Sequence, residues 1–88
     1  MIGVINELRE QEIKRAEKIL GTIIEYIQIH GYPPTVREIG ALTGLKSTST
    51  VQHHLEILRE EGKIETDAGF NAPRAIRIPG YKFVKIAE

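Results

Sequence analysis

Pro33-Pro34, Gly44 and Gly62 divide the middle of this chain into segments with room for two short helices and nothing longer. Proline removes a backbone donor and drives the residue before it out of the helical region. Glycine readily ends a helix in the left-handed conformation. Ahead of the prolines, Ile13, Ala16, Leu20, Ile23, Ile24 and Ile27 recur at helical spacing, with Lys14, Lys18 and Glu25 elsewhere on the wheel. That pattern predicts a helix from Ile13 to Ile29, closed by Gly31. Thr35-Val36-Arg37-Glu38 is a capping box: the threonine oxygen accepts from an early backbone N–H and the glutamate reaches back. It opens a second helix with an apolar stripe of Val36, Ile39 and Leu42, stopped by Gly44 after about two turns. Leu45 is expected to plug the core. A third helix starts at Ser47 or Thr48, either an acceptable N-cap, buries Val51, Leu55 and Leu58, and meets Gly62 as its C-cap.

After Gly62 the period changes. Lys63-Ile64-Glu65-Thr66 alternates as a short strand does, and Ala75-Ile76-Arg77-Ile78 reads as a returning strand. Gly69, Asn71 and Pro73 between them are turn residues. Tyr81 to Ile86 also alternates and is a third strand or a tail. The expected fold class is mainly α with a small β-hairpin, a three-helix winged helix-turn-helix. Residues 1–13 are an N-terminal extension that can continue the first helix, 14–78 the winged-helix domain, and 79–88 a tail or extra strand.

Two short helices joined across Gly44 have helix-turn-helix spacing, which places the N-terminal residues of the second helix against base edges in the major groove of DNA. Successive helical residues turn by about 100°. With Val51 at the centre of the buried face, Ser49, His53 and Glu56 point away from the core, and Thr50 and Gln52 lie on the flanks. Hydroxyl, amide and imidazole groups can bond several base edges. Glu56 and Glu60 come later, where the helix leaves the groove. Taken alone, a polar helix face is most often simply solvated. Its place on the second helix of a helix-turn-helix, ahead of a hairpin, favours DNA. In the hairpin, Asn71 and Arg74 would reach the backbone or minor groove and Lys63 a phosphate, unless the hairpin is a capping element with solvated charges.

Charge is the awkward feature. Twelve bases face twelve acids, so the formal net charge is zero, whereas DNA binders draw affinity from a basic surface. The distribution is polarised. From Tyr32 to Leu55 the charged residues are Arg37, Glu38 and Lys46, and the acids concentrate between Glu7 and Glu25 and between Glu56 and Glu61. The DNA-facing set is therefore Arg37, Lys46, Ser47, Thr48, Ser49, Thr50, Gln52 and His53, with Asn71 and Arg74 from the hairpin.

The run Gly31-Tyr32-Pro33-Pro34-Thr35-Val36-Arg37-Glu38-Ile39-Gly40 closely resembles the start of the helix-turn-helix in LexA, the SOS-response repressor family. The similarity continues through Gly44-Leu45, Ser47 to Val51, His54-Leu55, Leu58, Glu61-Gly62-Lys63-Ile64 and Pro73-Arg74-Ala75-Ile76. It covers roughly Lys14 to Ile78. The resemblance implies a three-helix bundle with a two-stranded wing that binds palindromic operators as a dimer. It assigns base reading to Ser47, Ser49, Thr50, Gln52 and His53, and backbone contacts to Arg37 and Arg74. Gln52 and His53 lie where family members vary, so the operator need not be the SOS box. LexA proteins continue into a domain that dimerises and cleaves itself with a Ser–Lys pair. Eighty-eight residues leave no room for it, so self-cleavage is not expected. Ala68-Gly69, the dipeptide type cut in that family, reads here as turn chemistry. A replacement dimer surface would come from Ile2, Ile5, Leu8 and Ile13. Tyr81, Phe83, Val84 and Ile86 would supply the other candidate, although the tail is expected to pack on its own core.

Other classes fare worse. No cysteine is present, so disulfides and thiolate metal sites are excluded. His53 and His54 diverge by about 100° on a helix and do not share one ion easily. No Gly-rich phosphate loop or nucleophile elbow exists, and neither catalysis, a cofactor, a metal nor a small-molecule ligand is expected. No apolar run is long enough to span a membrane and no signal peptide is evident, which fits a cytoplasmic protein. The expected partner is double-stranded DNA, bound by a weak homodimer at least on DNA. The competing class is a winged helix that binds a protein and modulates a larger repressor. Salt sensitivity separates the two.

Overall fold

The computed structural model describes residues 2–70 and 72–80, with side chains from residue 9 onward. Three helices and one hairpin follow in order: α1 (Ile2–His30), α2 (Val36–Thr43), α3 (Thr48–Glu60), β1 (Glu65–Thr66) and β2 (Ile76–Arg77). The strands are antiparallel, with Glu65 opposite Arg77 and Thr66 opposite Ile76. This is a winged helix-turn-helix, mainly helical.

The core lies where α1 crosses α2 and α3. Ala16, Ile19, Ile23 and Ile27 of α1 pack with Ile39, Val51, Leu55 and Leu58, and the hairpin closes the end with Ile64, Ile76 and Ile78. At about 25 cal/mol per Å² of apolar surface, a buried isoleucine or leucine contributes roughly 1.5–3 kcal/mol. Leu20 and Ile24, expected in the apolar stripe, are only partly buried, and Ile19, outside that stripe, is buried in the core. The helix also begins at Ile2, eleven residues before the first strong apolar signal at Ile13. The side chains of Ile2, Ile5 and Leu8 and the tail from Tyr81 lie outside the described residues, and so does Asn71.

Thr35 caps α2 as the sequence requires. Its hydroxyl accepts from the Glu38 N–H at 3.1 Å, and the Glu38 carboxylate accepts from the Thr35 N–H at 2.8 Å. Leu42 departs from expectation and is 57% exposed. The inward face of this eight-residue helix runs through Val36, Ile39, Gly40 and Thr43, which moves Leu42 to the flank. Gly40 is buried because the turn folds back over it: a Cβ there would lie 2.9 Å from the Leu45 carbonyl oxygen. Leu45 packs beside the core, and Gly44 takes φ +76° to turn the chain.

At the end of α3 the cap residue is Glu61, and Gly62 sits one step beyond with φ +73°. Gly62 N–H donates to the Arg59 carbonyl and Lys63 N–H to the Leu58 carbonyl, the paired bonds of a Schellman ending. The strands are two residues each instead of four. Lys63, Ile64, Ala75 and Ile78 leave the ladder, although Ile64 and Ile78 remain buried. No described helix is long and apolar enough to cross a membrane.

Candidate nucleic-acid interface

α3 presents its N-terminal turn to solvent. Ser47 holds the N-cap position with extended backbone, φ −103° and ψ 126°, but its hydroxyl makes no capping bond. No acidic residue lies in the first turn. The early N–H groups of a helix carry partial positive charge. In α2 a carboxylate and a hydroxyl close that end, whereas in α3 the Ser47 side chain does not. Ser47, Thr48, Ser49 and His53 are exposed, Thr50 and Gln52 half-buried, and Val51, His54 and Leu55 form the opposite face.

A shallow groove runs beside this turn. Thr35, Val36 and Arg37 from the start of α2 line it with Thr48 and Gln52 of α3, and the wing turn adds Phe70, Ala72 and Pro73. The structure thus brings Arg37, Thr48 and Gln52 together on one flank of α3. His53 faces the other flank, where its Nε2 lies 3.5 Å from Glu12 Oε1 of α1. Lys46 is exposed in the turn between the two helices.

Among the described residues some bases sit in ion pairs and others, Arg9, Lys14, Arg15 and Lys18 of α1 among them, do not. Arg59 pairs with Glu56 at 2.7 Å, Lys63 with Glu17 at 3.2 Å, and Arg77 with Asp67 at 2.8 Å. Arg74 pairs with Glu38 at 2.9 Å. Among the described residues Arg37 and Lys46 form neither an ion pair nor a side-chain hydrogen bond, and both border α3's first turn. Surface pairs contribute little to stability. They cancel charge locally, one of them on α3 itself, while Arg37 and Lys46 keep theirs beside the helix start.

Two residues expected at DNA phosphates are engaged within the fold. Arg74 adopts φ +55° and turns its guanidinium back onto α1 and α2. It donates to the Pro33 carbonyl at 2.9 Å, bonds Glu38, and stacks 4.4 Å from the centre of the Tyr32 ring. Arg74 is therefore a clamp between wing and helices, since the short hairpin needs an anchor its two-residue ladder cannot supply. Lys63 bridges Glu17 and Glu61 instead of extending outward.

The clamp's centre is Glu38, which the sequence marked only as a cap. The Thr35 N–H and the Tyr26 hydroxyl hold its carboxyl down to about 2, with Arg74 adding to the effect and burial opposing it. Burial pushes the Tyr26 phenol above its ordinary range, the Glu38 carboxylate adds to that, and Arg74 works against it. Nothing in the sequence pattern pointed to Tyr26 or Phe70, because each acquires its role from partners distant along the chain. Among the described residues no cluster of three or more metal-ligating side chains exists.

Residues 11–75 match the family model described as LexA DNA binding domain. The chain is 46% identical over 78 residues to the LexA repressor of Bacillus cytotoxicus, covering 89% of this chain and 37% of that protein. It is 49% identical over 71 residues to the LexA repressor of Caldicellulosiruptor saccharolyticus, 81% of this chain and 34% of that one. With the LexA repressor of Staphylococcus aureus the identity is 49% over 65 residues, 74% and 30% of the respective chains. The chain spans about a third of the length of these relatives.

Proposed function

This chain belongs to the LexA DNA-binding domain family, and from that premise we propose that it binds double-stranded DNA sequence-specifically as a transcriptional repressor, with α3 in the major groove. The observation that carries this reading is the first turn of α3. It has no capping bond from the Ser47 side chain, is free of acids and is bordered by Arg37 and Lys46, which form no ion pair among the described residues, the surface a phosphate backbone seeks. Ser47, Thr48, Ser49, Thr50, Gln52 and His53 supply the groups that meet base edges. Ser49 stands outermost between two flanks, Thr48 and Gln52 on the groove side and His53 on the α1 side.

Arg37 and Lys46 position the duplex. Arg74 contributes by holding the wing against α2. Asn71, in the wing turn, remains a candidate for the backbone or minor groove. A helix that reads one half-site gains affinity and selectivity from a second copy one helical turn away, so the site is a palindrome bound by two copies, with the weak dimer surface supplied by the start of α1. Sedimentation of a chain lacking residues 1–12 tests that surface: the dimer fraction falls if the proposal holds.

Fluorescence anisotropy with a random-sequence duplex tests DNA binding itself. Phosphate contacts make log K fall linearly with log salt, by about 0.9 per contact. Four or more contacts from two copies give a slope steeper than about −3.5 on the same rule. Binding that ignores salt, or no binding at all, favours a protein-interaction module instead.

A further inference from the structure

Glu12 lies on α1 one full turn ahead of Ala16, the first core residue of that helix, and its carboxylate meets the outer face of α3. Its Oε1 is 3.5 Å from His53 Nε2, and both side chains are about half exposed. Arg9, Glu12 and Ile13 line one cleft with His53, Glu56 and Ile57. The His53 ring is bounded on a second side by His54, edge-on at 5.5 Å and 76°. His54 does not move aside readily, because it is 5% exposed and its Nδ1 lies 2.9 Å from the Thr50 carbonyl. The His53 ring therefore has a packed neighbour on one side and a carboxylate at its distal nitrogen.

The distal nitrogen is the ring atom farthest from the helix backbone, and so the one best placed to reach a base edge. Imidazole offers only two hydrogen-bonding atoms, and each serves one partner at a time. Glu12 and a purine in the major groove compete for the same atom. We propose that Glu12 is a positioning residue that sets what His53 offers to DNA: while it holds Nε2, the base pair facing position 53 is read weakly. The inference rests on the proposed placement of α3 in the major groove. It identifies a determinant of specificity on α1, outside the helix that touches the bases.

The test compares binding profiles over a duplex library for the parent chain, Glu12→Ala, His53→Ala and the double variant. Glu12 is half exposed, so its loss leaves the fold intact, which circular dichroism verifies. Glu12→Ala is expected to sharpen preference at one symmetry-related base pair by about fivefold, the worth of one hydrogen bond. The same change in the His53→Ala background is expected to leave the profile unaltered. Side-chain ¹⁵N signals of His53 in the DNA-free protein are expected to move on Glu12→Ala. A gain in affinity equal at every base pair and in both backgrounds overturns the inference, since Glu12 would then act only through its charge. Unmoved His53 signals overturn it as well. A parent chain that selects no sequence overturns the reading of α3 itself. A parent that selects normally while Glu12→Ala changes nothing overturns this inference alone.

Discussion

Glu38 and Arg74, 36 residues apart, meet at 2.9 Å and join the start of α2 to the wing. One carboxylate thereby caps a helix, accepts from Tyr26 of α1 and anchors the hairpin. The groove beside α3 exists because these three contacts fix the start of α2, the wing turn and the end of α1 relative to one another.

That convergence makes stability sensitive to acid. The Glu38 carboxyl sits at about 2 in the folded protein against an ordinary 4.5. A depressed folded value means that the charged form stabilises the native state. The contribution is complete above about 4.5 and disappears as pH falls from there toward about 2. Glu56, lowered by its hydrogen bond with Arg59, acts in the same direction. Thermal melts between pH 7 and pH 2 are expected to show a falling midpoint in this window. The Glu38→Gln variant should start lower and fall less. Equal slopes for both chains would remove Glu38 from the account.

The basic residues separate by salt dependence. Arg37→Ala and Lys46→Ala are each expected to lower the log–log salt slope of DNA binding by about 1.8, one phosphate contact in each of the two bound copies. Arg74→Ala is expected to lower the melting temperature by several degrees yet keep the slope, provided binding is measured well below the transition. A slope that drops for Arg74→Ala and not for Arg37→Ala would reverse their roles.

Two glycines predict opposite signs. Gly40→Ala places a methyl 2.9 Å from the Leu45 carbonyl, so the helix-turn-helix turn has to shift, at a cost of about 1–3 kcal/mol. Gly21 sits within α1 with nothing within 4 Å of its absent Cβ, and Gly21→Ala should stabilise by about 0.5–1 kcal/mol through helix propensity. Denaturant titration measures both. A neutral Gly40→Ala would show that the turn is looser than the close approach implies.

Local signals carried most of the architecture. Pro33-Pro34, the Thr35 capping box and Gly44 fixed the breaks between helices because each acts on its own neighbours. Val51, Leu55 and Leu58 were legible as the buried side of α3 for the same reason. Strand lengths were not, since a two-residue ladder depends on the Arg74 clamp and on Ile64 and Ile78 packing outside it. Leu42 misled because a two-turn helix gives too few residues to fix the phase of its inward face. Of the candidate site, the helical phase set by Val51 and the place of α3 after Gly44 identified the exposed turn. Which cations remained unpaired could not be read from the chain, since pairing partners such as Glu17 and Lys63 lie 46 residues apart.

The central claim is that the first turn of α3 reads bases. It is tested most directly by selecting bound sites from a random duplex library at two salt concentrations, with the parent chain and with Gln52→Ala and His53→Ala. The account predicts a recovered palindrome, salt-sensitive affinity, and a changed base preference at one symmetry-related position for Gln52→Ala, whose flank of α3 faces the groove. His53→Ala should change a different position, weakly while Glu12 is present. No enrichment at either salt, or profiles identical across the three chains, would contradict it.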